Sequence, residues 1–210
     1  MSEEKKGKPP VFDAERPIEI KLRSAEGTKI IALRFPTDPE WIGRQKKRKL
    51  VVKNLGRGLS ETIAPDSGES DLELVATLRK DENGPSIDKY EATQIIDQLN
   101  RCDVEDVVEE AGLFRISMRV PGGLVTHVLR MPSARDIIQH RRAYCRSLDA
   151  PYNQQQITIN LAAAGETYSK LDPHPEGYAG AVPIIHQAAA VNVAIAALES
   201  GIGVTEPENF

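Results

Sequence analysis

The chain has 210 residues, 27 basic and 31 acidic side chains, a net charge of −4 and 40% apolar residues. That length can hold one or two domains with a real core, and the charge balance excludes a globally basic, nucleic-acid-attracting surface. Aromatic residues at 5% argue against a base-stacking or carbohydrate-stacking platform.

The first residues, Met1-Ser2-Glu3-Glu4-Lys5-Lys6, are charged and lack the apolar core of a secretory leader. No apolar run approaches the ~20 residues that span a bilayer. These features predict a cytoplasmic or particle-bound protein with no membrane partner. Residues 1–17, with Pro9, Pro10 and Pro17, read as a flexible or extended arm.

From Ile18 the pattern changes. Ile18, Ile20 and Leu22 alternate with Glu19, Lys21 and Arg23, the period of a half-buried strand. A turn at Ala25-Glu26-Gly27 and a return strand, Lys29 to Arg34, complete a β-hairpin. Pro36-Thr37-Asp38-Pro39-Glu40 then starts a helix, with Thr37 as N-cap and Glu40 reaching back to it. That helix is predicted to run to about Leu55 and to stop at Gly56 and Gly58. Leu59 to Glu69 reads as a loop. Ser70-Asp71-Leu72-Glu73 reads as a second capping box, opening a helix to about Lys80. A third helix, about Ser86 to Arg101, places Ala92, Ile95, Ile96 and Leu99 on one face. Asp103 to Glu110 reads as a short helix or an approach strand.

The same text then returns. Sliding Ile18–Lys46 forward by 96 positions places it on Phe114–Arg142 without a gap, with seven identities in twenty-nine positions. Ile20, Arg23, Gly27, Leu33, Arg34, Pro36 and Ile42 fall on Ile116, Arg119, Gly123, Leu129, Arg130, Pro132 and Ile138. The shared positions are those that define a strand, a turn and a helix cap. The second copy predicts a hairpin turning at Pro121-Gly122-Gly123 and a helix from Ser133 to about Leu148. A helix over Tyr152 to Leu171 follows, despite the β preference of Ile157-Thr158-Ile159. A loop at residues 172–180 precedes the last helix, Pro183 to Glu199. That helix is apolar nearly all round, so it is either the central core helix or half of an oligomer contact.

The predicted fold is therefore α+β: a tandem duplication of a β-hairpin plus three-helix unit, residues 18–110 and 111–203, followed by a tail at 204–210. Lone hairpins are marginal. The economical solution joins the two hairpins into one small antiparallel sheet covered by helices.

The candidate contact residues are basic. Arg44, Lys46, Lys47, Lys49 and Lys53 lie in a stretch, Trp41 to Ser60, that no acid interrupts, and Arg141 and Arg142 echo them in the second copy. They could touch phosphates, an acidic protein surface or water alone. Residues 61–110 carry fifteen acids against four bases, which favours charge pairing within or between molecules. Tyr178, in a glycine-rich loop, is a further contact candidate. The four histidines lack metal-ligand spacing, and Cys102 and Cys145 lack CxxC spacing and read as free thiols. Gly56-Arg57-Gly58-Leu59-Ser60 lacks the ending of a phosphate loop. No catalytic, metal or cofactor constellation stands out.

The text Ile31-Ala32-Leu33-Arg34-Phe35-Pro36-Thr37-Asp38-Pro39-Glu40 resembles small tail-assembly-associated proteins of tailed bacteriophages and prophages. The resemblance covers about a third of the chain, twice. It implies a non-enzymatic protein that chaperones or builds tails through contacts with tail proteins, virion proteins or its own copies. The alternative is a nucleic-acid-associated protein using the helix from Arg44 to Lys53.

Overall fold

The computed structural model describes residues 11–24, 27–47, 50–56, 59–63, 67–81, 84–150, 154–159 and 161–200. The first half runs β1 (Phe12–Asp13), β2 (Ile18–Ser24), β3 (Gly27–Leu33), α1 (Asp38–Lys47), β4 (Leu50–Gly56), β5 (Leu59–Ile63), α2 (Ser67–Leu78) and α3 (Lys89–Leu99). The second runs β6 (Asp103–Glu110), β7 (Leu113–Val120), β8 (Gly123–Arg130), α4 (Ala134–Tyr144), β9 (Cys145–Ala150), β10 (Gln154–Ile159), α5 (Leu161–Lys170), β11 (His174–Glu176), β12 (Tyr178–Ala179) and α6 (Ile184–Ser200). The class is α+β, with small antiparallel sheets and six helices among the described residues.

The 96-residue offset carries into the geometry. Ile18 pairs with Leu33 and Ile20 with Ile31; 96 positions on, Phe114 pairs with Leu129 and Ile116 with His127. Apolar alternation sets these registers, since a one-residue slip would turn each buried set outward. In the second hairpin Gly122 holds φ +102°, which the turn requires and a Cβ would strain.

Both helix starts are built alike. The Glu40 carboxylate accepts from the Thr37 N–H at 2.8 Å and receives both arms of Arg34, at 2.5 and 2.8 Å. Asp136 accepts from the Ser133 N–H at 2.8 Å and from Arg130 at 2.9 Å. The second box is reciprocal, since the Asp136 N–H also donates to Ser133 Oγ at 3.2 Å, whereas the Thr37 hydroxyl donates to the Glu40 carboxylate at 2.9 Å. The Arg34 partner holds Glu40 down to about 2, and Arg130 pushes Asp136 below the usual carboxylate range.

The first hairpins do not join into one sheet. The β3 edge is occupied by its own unit: Arg34 N–H donates to the Leu78 carbonyl at 3.0 Å, and Lys80 N–H to that of Ala32 at 3.2 Å. β2 and β3 remain a pair, while β7 and β8 sit inside a sheet ordered β11-β8-β7-β6. The units join elsewhere. Strands β4 and β5, and β9 and β10, in stretches read as helix and loop, form two further antiparallel pairs that join as β5-β4-β10-β9. Leu50-Val51-Val52 and Ile157-Thr158-Ile159 carry the β-branched preference, and strand pairing between units overrides the helical reading of the lysine run. The order hairpin, helix, hairpin, helix, helix thus recurs in both halves, with β6, β11 and β12 added in the second.

Two helix starts also move. α2 starts at Ser67, so Ser70 lies inside it rather than capping it. The capping box instead belongs to Asp88 and Glu91, at the start of α3. Asp103 to Glu110 is a strand. In the segment assigned to the arm, Phe12 is 1% exposed, and β1 pairs in parallel with β12 inside the stretch read as a loop.

One core takes residues from both halves. Trp41, Ile95, Ile96 and Leu99 meet Phe114, Ile116, Met118 and Leu129, all fully buried. α6 is the central helix: Ala188, Ala190, Val191, Ala194 and Ala197 are buried, and it packs on α5, α1 and β7. Its alanines allow those elements to approach closely.

Candidate interaction surface

The basic helix presents less free charge than its sequence suggests. Arg44 faces inward, 4% exposed, and its Nε donates to Asp71 at 2.6 Å. Thr93 donates to the other Asp71 oxygen at 3.0 Å, and the guanidinium lies 5.9 Å from the centre of the Trp41 ring. Arg44 is therefore a structural cation and not a contact residue. At the corresponding place 96 positions on, His140 and Thr167 lie 3.2 Å apart. One joint, α1 on α2 and α4 on α5, is thus closed by an ion pair in one unit and a neutral pair in the other. Lys47 is ion-paired to Glu73, and Arg141 to Glu199. Lys46 and Arg142 are exposed. Lys53 lies on β4, and Lys49 lies outside the described residues.

Tyr178 is also turned inward. Its hydroxyl is 2.8 Å from His127 Nε2 and 3.4 Å from His186 Nδ1, and Tyr168 Oη is 2.8 Å from His127 Nδ1. Counting donors assigns the chain: Tyr168 donates to His127, His127 Nε2–H donates to Tyr178, and Tyr178 donates to His186. The reverse order would strand the Tyr168 proton as well as a His186 nitrogen. His186 Nε2 has no hydrogen-bond partner among the described residues and sits beside the Phe12 and Phe35 rings, at 4.9 and 5.4 Å between centres. Burial pushes His127 down to about 4 and His186 to about 3, so both rings are neutral at pH 7. Both are fully buried, so the cluster ties β8, β12, α5 and α6 together rather than facing a substrate. Sequence reasoning missed it because the four residues lie on four separate elements that only the fold brings together.

A groove of about 430 Å³ runs past Ile18, Ile20, Arg101, Asp103, Arg119 and Val120. Its charges bind one another or a neighbour: Arg101 donates to Asp103 and Arg119 to Glu105, each at 2.7 Å. No group of three or more His, Cys, Asp or Glu among the described residues could hold a metal ion. Cys102 is half-buried and its thiol is pushed up to about 12, which keeps it protonated and unreactive. No helix among the described residues is long and apolar enough to cross a membrane.

The sheet edges differ in kind. β6 carries five acids in eight residues, and β11 is three residues long with Pro175. Charge, brevity and proline are the usual protections of an edge. The outer strands of the other sheet, Leu59-Ser60-Glu61-Thr62-Ile63 and Cys145-Arg146-Ser147-Leu148-Asp149-Ala150, contain no proline and one acid each. Among the described residues each is paired on one side only.

No protein-family model, curated protein or solved structure matches this chain.

Proposed function

We propose that the chain is a non-enzymatic assembly or structural protein acting through protein–protein contacts, of the tailed-phage kind that its hairpin-and-cap text resembles. Its partners are further copies of itself or tail and virion proteins, met in the host cytoplasm or in the particle. The observation that supports this reading is the joint between the two units, in which β4 pairs with β10 through four residue pairs. A unit that binds its neighbour by main-chain pairing is suited to assembly, because such pairing needs no particular side chains. The shared hairpin registers and caps support descent of both units from one copied ancestor.

The nucleic-acid reading has less support, since Arg44 is buried and Lys47 and Arg141 are ion-paired. Light scattering on the full chain, alone and mixed with purified tail proteins of the same particle, tests the proposal. Self-association or a defined complex supports it. A strict monomer that binds none of them overturns it. Duplex DNA binding at low salt, abolished by replacing Lys46, Lys47 and Lys49 with alanine, would reinstate the alternative.

A further inference from the structure

The order β5-β4-β10-β9 has a direction. In each unit the second hairpin has a leading strand, β4 or β9, and a trailing strand, β5 or β10. The joint pairs the leading strand of unit one with the trailing strand of unit two, antiparallel, Leu50 with Ile157 and Lys53 with Gln154. Two-fold packing would have paired leading with leading or trailing with trailing. The head-to-tail choice leaves a trailing strand, β5, at one end of the sheet and a leading strand, β9, at the other. These are the two strand types that already bind at the centre.

We infer that copies of this chain join head to tail, with β9 of one molecule pairing antiparallel with β5 of the next, into a closed ring with one continuous antiparallel sheet of four strands per chain. This rests on the assembly reading above and names its partner: a second copy of the same chain. Three observations carry it. The central joint displays the pairing that the outer joint would repeat. The outer edges carry one acid each and no proline, against the five acids of β6 and the Pro175 of β11. The antiparallel alternation continues unbroken across the new joint, because every neighbouring pair in this sheet is antiparallel. An interface between two unlike patches closes into a ring or runs on as a filament. The sheet favours closure, because a twisted antiparallel sheet curls and closure removes its edges.

The test blocks one edge at a time in the full-length chain. Ser60→Pro and Ser147→Pro each remove a backbone donor from one outer strand. Ser60→Lys and Ser147→Lys place a charge there while keeping the donor, and circular dichroism and melting confirm that each variant folds. The unaltered chain is expected to scatter light as a whole multiple of its 23.1 kDa mass. Each folded single variant is expected to fall to one chain. Mixing a β5-blocked with a β9-blocked variant is expected to give a complex of two chains and no larger, since one competent edge of each type remains. Val104→Lys on β6 is expected to leave the mass unchanged. A wild-type monomer at high micromolar concentration overturns the inference, and the assembly reading then stands only if a tail protein binds. An oligomer that survives both edge blocks overturns the inference and leaves the assembly reading intact.

Discussion

Acid should loosen this protein well before its carboxylates titrate. His127 and His186 are held at about 4 and 3 by burial, against an ordinary imidazole value of 6.5. Below pH 6.5 the unfolded chain binds two protons that the folded chain refuses. The native state therefore loses stability as pH falls, at up to about 1.4 kcal/mol per pH unit for each ring. Between pH 6.5 and 4.5 the two rings together remove roughly 5 kcal/mol, comparable to the whole stability of many domains. His140, also pushed down chiefly by burial, acts in the same direction. Glu40 does not confuse this window: its stabilisation is fully present above the ordinary carboxylate value of 4.5 and fades only as pH falls toward 2. Trp41, the one tryptophan, is fully buried and reports unfolding by fluorescence. Urea titrations at half-unit pH steps should show unfolding free energy dropping steeply from pH 6.5 to 4.5, and His127→Gln should reduce the slope by about the contribution of one ring, ~1.4 kcal/mol per pH unit. A flat profile across that window would refute the neutral buried cluster.

Three further outcomes follow from the packing. Arg44→Ala should cost about 3–5 kcal/mol in urea unfolding by stranding the Asp71 charge, whereas the double change Arg44→Met, Asp71→Leu should recover most of that loss. Phe12→Ala should lower stability by about 3–5 kcal/mol, since its ring meets Phe35, Tyr178 and His186 edge-on; a neutral result would detach β1 from the fold. Tyr178→Phe should cost about 1–3 kcal/mol by leaving ring nitrogens of His127 and His186 without their partner, read from thermal melts.

The legible parts of the sequence were those fixed by local rules. Alternating Ile18, Ile20 and Leu22, the proline-led caps at Thr37 and Ser133, and the apolar face of Ala92 to Leu99 each state their structure within one turn or strand, and each holds in the fold. Strands β4, β5, β9 and β10 were not legible. Lys53 and Gln154 to Gln156 suit a helix, and the local pairs β4–β5 and β9–β10, with the β4–β10 pair about a hundred positions apart, make them strands. Separations of 27 positions between Arg44 and Asp71 and of 51 between Tyr178 and His127 hid the candidate site. Arg44 looks like surface charge until Asp71 is placed against it, and Tyr178 looks like a loop contact until β12 carries it to His127.

The repeat explains why the missed strands matter most. Two copies of one unit can meet by a two-fold contact, which uses both like edges and ends there, or head to tail, which uses unlike edges and leaves one of each. The order β5-β4-β10-β9 is of the second kind. Two similar units in one chain do not set how many chains follow. In the proposed assembly the β9 edge of one chain would meet the β5 edge of the next, because each is of the strand type that pairs at the centre, and neither carries the acid run of β6 or the proline of β11.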